Sequence, residues 1–182
     1  IHSVEFGYKW QNDNFSLVPS LYYRYKKNGF TSVTIPLNDS VLLTTEQNLS
    51  NDQSAGLEII FSAKAGKFFS SNLSTNFFYN QIDAADLGFI GKKTIVSMST
   101  NFNATFTITK TTVAQVSSNF RSARLTPQGK SYASFVFNAG LRQDLFKKKA
   151  SIILTASDLF KTLRNKNEFV TTGLQQVSFG RR

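Results

Sequence analysis

The sequence predicts an all-β protein, an antiparallel up-and-down transmembrane β-barrel, and three observations carry that prediction. The first is the stretch from Thr94 to Thr109. Its even positions Val96, Met98, Thr100, Phe102, Ala104, Phe106 and Ile108 are nearly all apolar, and its odd positions after Ile95 are Ser, Thr or Asn. A period of two held this long describes an extended strand with two unlike faces. The second is the absence of charge along that stretch. A soluble strand usually carries Lys or Glu on its water face, whereas a barrel wall sets an apolar face to lipid and a polar one to the lumen. The third is composition. Aromatics make up 14% of 182 residues, yet mean hydropathy is −0.20, as expected where apolar and polar residues alternate. No apolar run approaches the roughly 20 residues that a spanning helix needs, so a membrane crossing would be made by strands.

Taken in order, Ser3 to Gln11 sets Val4, Phe6, Tyr8 and Trp10 on one face, and Asn12-Asp13-Asn14 is a turn by composition. Phe15 to Lys26 carries Phe15, Leu17, Pro19, Leu21, Tyr23 and Tyr25 on its apolar face. Pro19 lacks an N–H for the ladder and is expected to form a bulge. A polar connection, Lys27 to Asp39, follows. Ser40 to Lys64 reads as one long strand, because splitting it spoils a strict alternation of short turns (near 13, 66, 110 and 148) with long loops (28–39, 83–92, 121–130 and 161–168). Phe68 to Ile82 carries Phe69, Leu73, Phe77 and Tyr79; the stretch from Thr94 follows it. Val113 to Phe120, Ser131 to Phe146 (with Ala133, Phe135, Phe137, Ala139, Leu141 and Leu145), Ser151 to Phe160 and Phe169 to Phe179 complete the series.

That makes nine strands. Single-chain bacterial barrels have an even number, so residues 1–182 are expected to form one domain that is part of a larger barrel. Short turns on one rim and long loops on the other are the bacterial outer-membrane plan. The lipid-facing set is then Val96, Met98, Phe102, Phe106, Leu73, Phe77, Phe135 and Phe137, with Tyr8, Trp10 and Tyr25 as candidates for an interfacial aromatic girdle.

The net charge of +10 raises the question of nucleic acid. The cations fall at strand ends (Lys26–Lys27, Lys92–Lys93, Lys147 to Lys149, Arg164, Lys166, Arg181–Arg182) and form no stripe among stacking aromatics. They are expected to mark barrel rims, some meeting anionic lipid head groups, and no nucleic-acid partner is expected. Catalytic chemistry is poorly furnished. His2 is the only histidine, there is no cysteine, and no Gly-rich phosphate loop occurs. Asp83 with Asp86 is the nearest approach to a cation site and reads better as a solvated loop. The sequons at Asn14, Asn38, Asn48, Asn72 and Asn103 are expected by chance in a chain so rich in Asn, Ser and Thr. No enzyme activity, cofactor or metal is expected.

Several stretches taken together add a resemblance. Glu5-Phe6-Gly7-Tyr8-Lys9, Gly56-Leu57-Glu58 after Asn48, Thr126-Pro127-Gln128-Gly129, Gly140 to Asp144, and Ser157-Asp158-Leu159-Phe160-Lys161-Thr162 occur in this order. The series resembles the C-terminal barrel region of TonB-dependent outer-membrane receptors of the Bacteroidetes type. The resemblance implies a 22-stranded barrel whose N-terminal plug and earlier strands are absent from this chain, and a final strand ending in an aromatic residue, where this sequence has Arg181–Arg182. It also implies outer-membrane lipid and, through the plug, an energy-coupling TonB-type protein as partners. The transported ligand, an iron-siderophore complex or an oligosaccharide, is not legible. Two other readings stand beside it: a small self-contained outer-membrane barrel acting as adhesin or pore, and a soluble β-barrel with its aromatics inside.

Overall fold

A computed structural model describes residues 1–38, 41–83, 92–171 and 174–181. They form two antiparallel sheets. In the larger, the wall, the strands are β1 (His2–Gly7) continued by β2 (Trp10–Gln11), β3 (Phe15–Asn38), β4 (Val41–Ala65), β5 (Phe69–Asp83), β6 (Lys93–Thr107), β7 (Thr112–Arg121), β10 (Ser134–Leu145) and β11 (Ala150–Ala156), paired in that order. The smaller sheet joins β8 (Arg124–Thr126), β9 (Gly129–Ser131), β12 (Arg164–Thr171) and β13 (Leu174–Arg181) in the order β13-β12-β9-β8.

The register shows how a period-two sequence becomes a two-faced wall. Side chains opposite one another in a ladder share a face. Leu17 pairs with Phe61, Phe61 with Leu73, Leu73 with Phe102, Phe102 with Ser118 and Ser118 with Phe137. One row therefore crosses six strands on the apolar face, and the alternation in each strand keeps every parallel row in phase. A slip of one residue in any pair would exchange the faces of every strand beyond it. The same row stands three residues from the short turn at Asn14 but ten from the turn at Lys147. This steady offset is the stagger that strands acquire when they tilt to enclose a barrel.

The short turns fall where the sequence places them, and Ser40–Lys64 corresponds to one strand, β4 (Val41–Ala65). Other expectations are corrected. The span 27–38 is strand, not a polar connection, because Asn28 takes a left-handed φ of 51° and the pairing with β4 then resumes in the same register at Gly29–Leu49. At about 3.3 Å per residue, the 25 residues of β4 run some 80 Å, far beyond the 9–11 residues that cross a bilayer. The distal half of the β3–β4 pair is a ribbon projecting past the end of β5. Pro19 makes no bulge: its neighbours keep register with β4, and the cost is a gap between β1 and β2. There the Tyr8 N–H reaches the Pro19 carbonyl at 3.0 Å and Pro19 has no N–H to return. The region 121–130 contains the β8–β9 hairpin, and 161–168 runs into β12. The expected ninth strand, Phe169 to Phe179, is instead a hairpin of β12 and β13 paired with β9 and not with β11. Phe160 leaves β11, which ends at Ala156, and His2 opens β1 opposite Tyr25. Asp86 and the loop around it lie outside the described residues.

The wall is a single layer. Its outer strands, β1 with β2 on one side and β11 on the other, are edges, and the barrel is not closed by the described residues. Among these residues the buried apolar side chains are Val33, Ile82 and Ala104. A soluble domain of this length would bury a substantial core.

Candidate functional site

The functional surfaces are the two faces of the wall and the rim where the small sheet sits. On the apolar face, Val4, Phe6 and Val96 are each more than 70% exposed, and Tyr8, Trp10, Leu21, Phe77, Tyr79 and Phe106 are exposed with them. Contiguous apolar patches beyond a few hundred Å² are rare on soluble monomers; here one extends across the wall. Of the predicted lipid-facing residues, Val96, Phe77 and Phe106 are exposed; Met98, Phe102, Leu73, Phe135 and Phe137 are half-buried by their neighbours on the same face. Phe69 packs on Phe106 with ring centroids 5.1 Å apart. The girdle candidates divide by height. Trp10 stands beside the first short turn, edge-on to Phe15 at 5.1 Å. Tyr25 stands at the opposite end and donates to Asn51 Oδ1 at 2.7 Å, while Tyr8 lies between them. Tyr23 and Tyr79, in one row through Ala55, join Tyr25 at that upper level, and their recurrence at one height is not visible strand by strand.

The opposite face is a carpet of amides and hydroxyls. Ser62 donates to Asn72 at 2.8 Å, Asn138 to Ser117 at 3.2 Å, and Asn119 to Asn101. Tyr22 lies across Gly56 and donates to Asn76 at 3.2 Å, with the Arg24 guanidinium 4.7 Å from its ring centroid. A cavity of about 290 Å³ opens on this face, lined by Asn103, Gln115, Ser117, Asn138 and Thr155 among others. Its floor is Gly140, where an added Cβ would meet nothing closer than 3.8 Å.

The rim elements meet this polar face. Ser97 projects from it, is buried, and donates to the Ala123 carbonyl at 2.7 Å, beneath the start of β8. Gln128, in the β8–β9 turn, reaches β3 across the space spanned by β4, β5 and β6. Its Oε1 accepts from the Thr34 N–H and its Nε2 donates to the Thr34 carbonyl, both at 2.7 Å, and its own carbonyl accepts from the Val170 N–H at 2.7 Å. A buried carboxamide thus imitates a strand's peptide group at the edge of the ribbon. Gln128 was not singled out by the sequence as a functional residue; the only signal was its place in a Pro-Gln-Gly turn.

Beside it, Tyr132 donates to Glu168 Oε2 at 2.9 Å, and the ammonium groups of Lys166 and Lys130 lie 4.2 and 5.4 Å from its ring centroid. The bond to Glu168, then loss of hydration, then the Glu168 charge hold the phenol above its usual range. Beyond Ala156, the segment Ser157–Thr162 folds around Asp158, whose carboxylate accepts from the Thr162 N–H at 2.9 Å and the Leu163 N–H at 3.1 Å. The loop supplies the Leu159 N–H to Phe137 O at 2.8 Å and the Thr162 hydroxyl to Phe135 O at 2.9 Å, so it satisfies the edge of β10 where β11 stops.

A staggered single-layer wall, apolar on one face and polar on the other, with short turns on one rim and long excursions on the other, defines a membrane-spanning β-barrel protein. The whole chain, residues 1–182, matches the outer membrane protein beta-barrel family and belongs to it; its place is the bacterial outer membrane. No curated protein and no solved structure matches the chain.

Proposed function

We propose that this chain is a stretch of barrel wall from a TonB-dependent receptor, a non-enzymatic importer of a large, scarce nutrient such as an iron-siderophore complex or an oligosaccharide. The observation that carries this reading is the pair of open wall edges. Within hydrocarbon, unpaired strand N–H and C=O groups cost several kcal/mol each, so β1 and β11 call for further strands beside them. Barrels of about 22 strands hold a plugged lumen. A face built mainly of Ser, Asn and Thr, with a few charges such as Arg24 and Glu58, suits such a lumen, because it can bond a plug largely through neutral hydrogen bonds. The long β3–β4 ribbon and the rim sheet then stand on the external side, placed to meet ligand. The energy-coupling protein would act through a plug outside these residues.

The test is uptake of ferric siderophores and oligosaccharides by cells carrying the complete gene. Uptake that disappears when the energy-coupling protein is deleted supports the receptor. A second reading has its own support, since eight wall strands also suffice for a small closed barrel. Steady conductance in a planar bilayer, independent of any coupling protein, would favour that self-contained pore.

A further inference from the structure

We propose that the short-turn rim is a binding surface for anionic phospholipid head groups of the membrane leaflet facing the periplasm. The inference rests on the outer-membrane wall alone and holds for either reading above. Three short turns repeat one combination, an exposed large apolar side chain beside exposed lysine. Phe68 (64% exposed) adjoins Lys67, Ile108 (62%) lies near Lys110, and Phe146 (77%) precedes Lys147, Lys148 and Lys149. None of these five lysines forms an ion pair among the described residues. Of the nearby acids, Asp144 is engaged by Arg142 Nε at 2.8 Å and Ser151 Oγ at 2.7 Å and also feels the charge of Lys148, and Asp13 stands at the first turn. At the long-excursion rim, by contrast, Lys130 and Lys166 lie over the Tyr132 ring.

The last turn adds backbone strain to the argument. Phe146, Lys147 and Lys148 take φ of 50°, 56° and 69° in succession, without a glycine among them. Consecutive left-handed residues are costly for L side chains; the Lys149 N–H donates to the Phe146 carbonyl at 3.3 Å and closes the turn, while the Phe146 ring stays 77% exposed. The conformation presents an aromatic ring and three ammonium groups outward together. That pairing fits a phospholipid rather than free phosphate: the ring enters the glycerol and acyl boundary while lysines, extended along their stems, reach the phosphate. Short turns of outer-membrane barrels face the periplasm, which selects the leaflet.

Trp10, the chain's only tryptophan, stands at this rim and reports on it. The chain is reconstituted in phosphatidylcholine vesicles containing phosphatidylglycerol, with brominated acyl chains on one lipid or the other, and quenching of Trp10 is compared. The expected result is about a threefold or greater preference for phosphatidylglycerol at low salt, fading at high salt. Replacing Lys67, Lys110 and Lys147 to Lys149 by Gln is expected to bring the two lipids level. Equal quenching by both lipids in the unmodified chain would overturn the proposal without recourse to any variant. A preference that persists in the replaced chain would overturn it as well.

Discussion

Gly56 shows how one missing side chain shapes the polar face. A Cβ at that position would lie 2.6 Å from the Phe77 carbonyl oxygen and 2.7 Å from Tyr22 Cζ. The Tyr22 ring occupies the vacated space to reach Asn76. Gly56→Ala is therefore expected to destabilise the wall by about 1–3 kcal/mol through overpacking, measured by urea unfolding in lipid vesicles; an unchanged midpoint would mean that Tyr22 moves aside freely. On the other face, Phe102→Arg would place a cation in hydrocarbon at a cost of roughly 2–4 kcal/mol near the bilayer midplane. Assembly of that variant at the normal level would argue against the outward orientation of this face. Tyr132 gives a pH prediction whose sign follows from its raised pKa. An acid held above its unfolded value binds its proton more tightly in the folded state. Its contribution to the rim sheet is complete below the usual tyrosine pKa of about 10 and is lost as pH rises through the folded value. Ultraviolet titration of the chain against Tyr132→Phe should show one phenol ionising later than the rest.

Among the elements, one carboxamide ties the rim sheet to β3. Gln128→Ala would leave the Thr34 N–H and C=O without that partner, at about 1–3 kcal/mol locally. Hydrogen exchange at the Thr34 amide should then accelerate while β5 and β6 stay protected; acceleration in the wall strands as well would show that Gln128 supports the whole sheet. Gln128→Glu offers a finer test. Ionised, the acid has no proton to give the Thr34 carbonyl, whereas protonated it restores both bonds, so protection should return as pH falls. The β3–β4 ribbon shows how a turn-like pair of residues can lie within a continuous strand. The Asn28-Gly29 pair has the composition of a turn, yet Asn28 absorbs the left-handed conformation singly and the strand continues. The alternation of Thr31, Val33, Ile35 and Leu37 was present in the sequence beneath that signal. Asp158 is the converse case: it lay within an expected strand, and its side chain, by accepting two backbone N–H groups ahead of it, ends that strand.

For the whole molecule, the decisive property is that eight wall runs share one phase and one direction of stagger while leaving two edges open. If the wall continues into further strands, cysteines at Glu5 in β1 and Ile153 in β11 should fail to cross-link within one chain in the assembled protein. Efficient cross-linking would mean that the wall closes on itself, and the receptor reading would give way to the small barrel. At the rim, Gln128 in the β8–β9 turn ties that hairpin to the ribbon of β3 through Thr34.

The sequence by itself determined the strand character of the wall, the two faces of each strand, the short turns and the identity of the aromatics on the apolar face. These are local properties: a period of two and a turn composition are complete within a dozen residues. Only the tertiary structure decided that the strands share one phase, that the ribbon outruns the wall, that β12 joins β9 rather than β11, and that Gln128 meets Thr34. Those outcomes depend on backbone groups finding partners far away in the chain. A side chain that satisfies a peptide group 94 residues distant leaves no mark on its own neighbours in sequence.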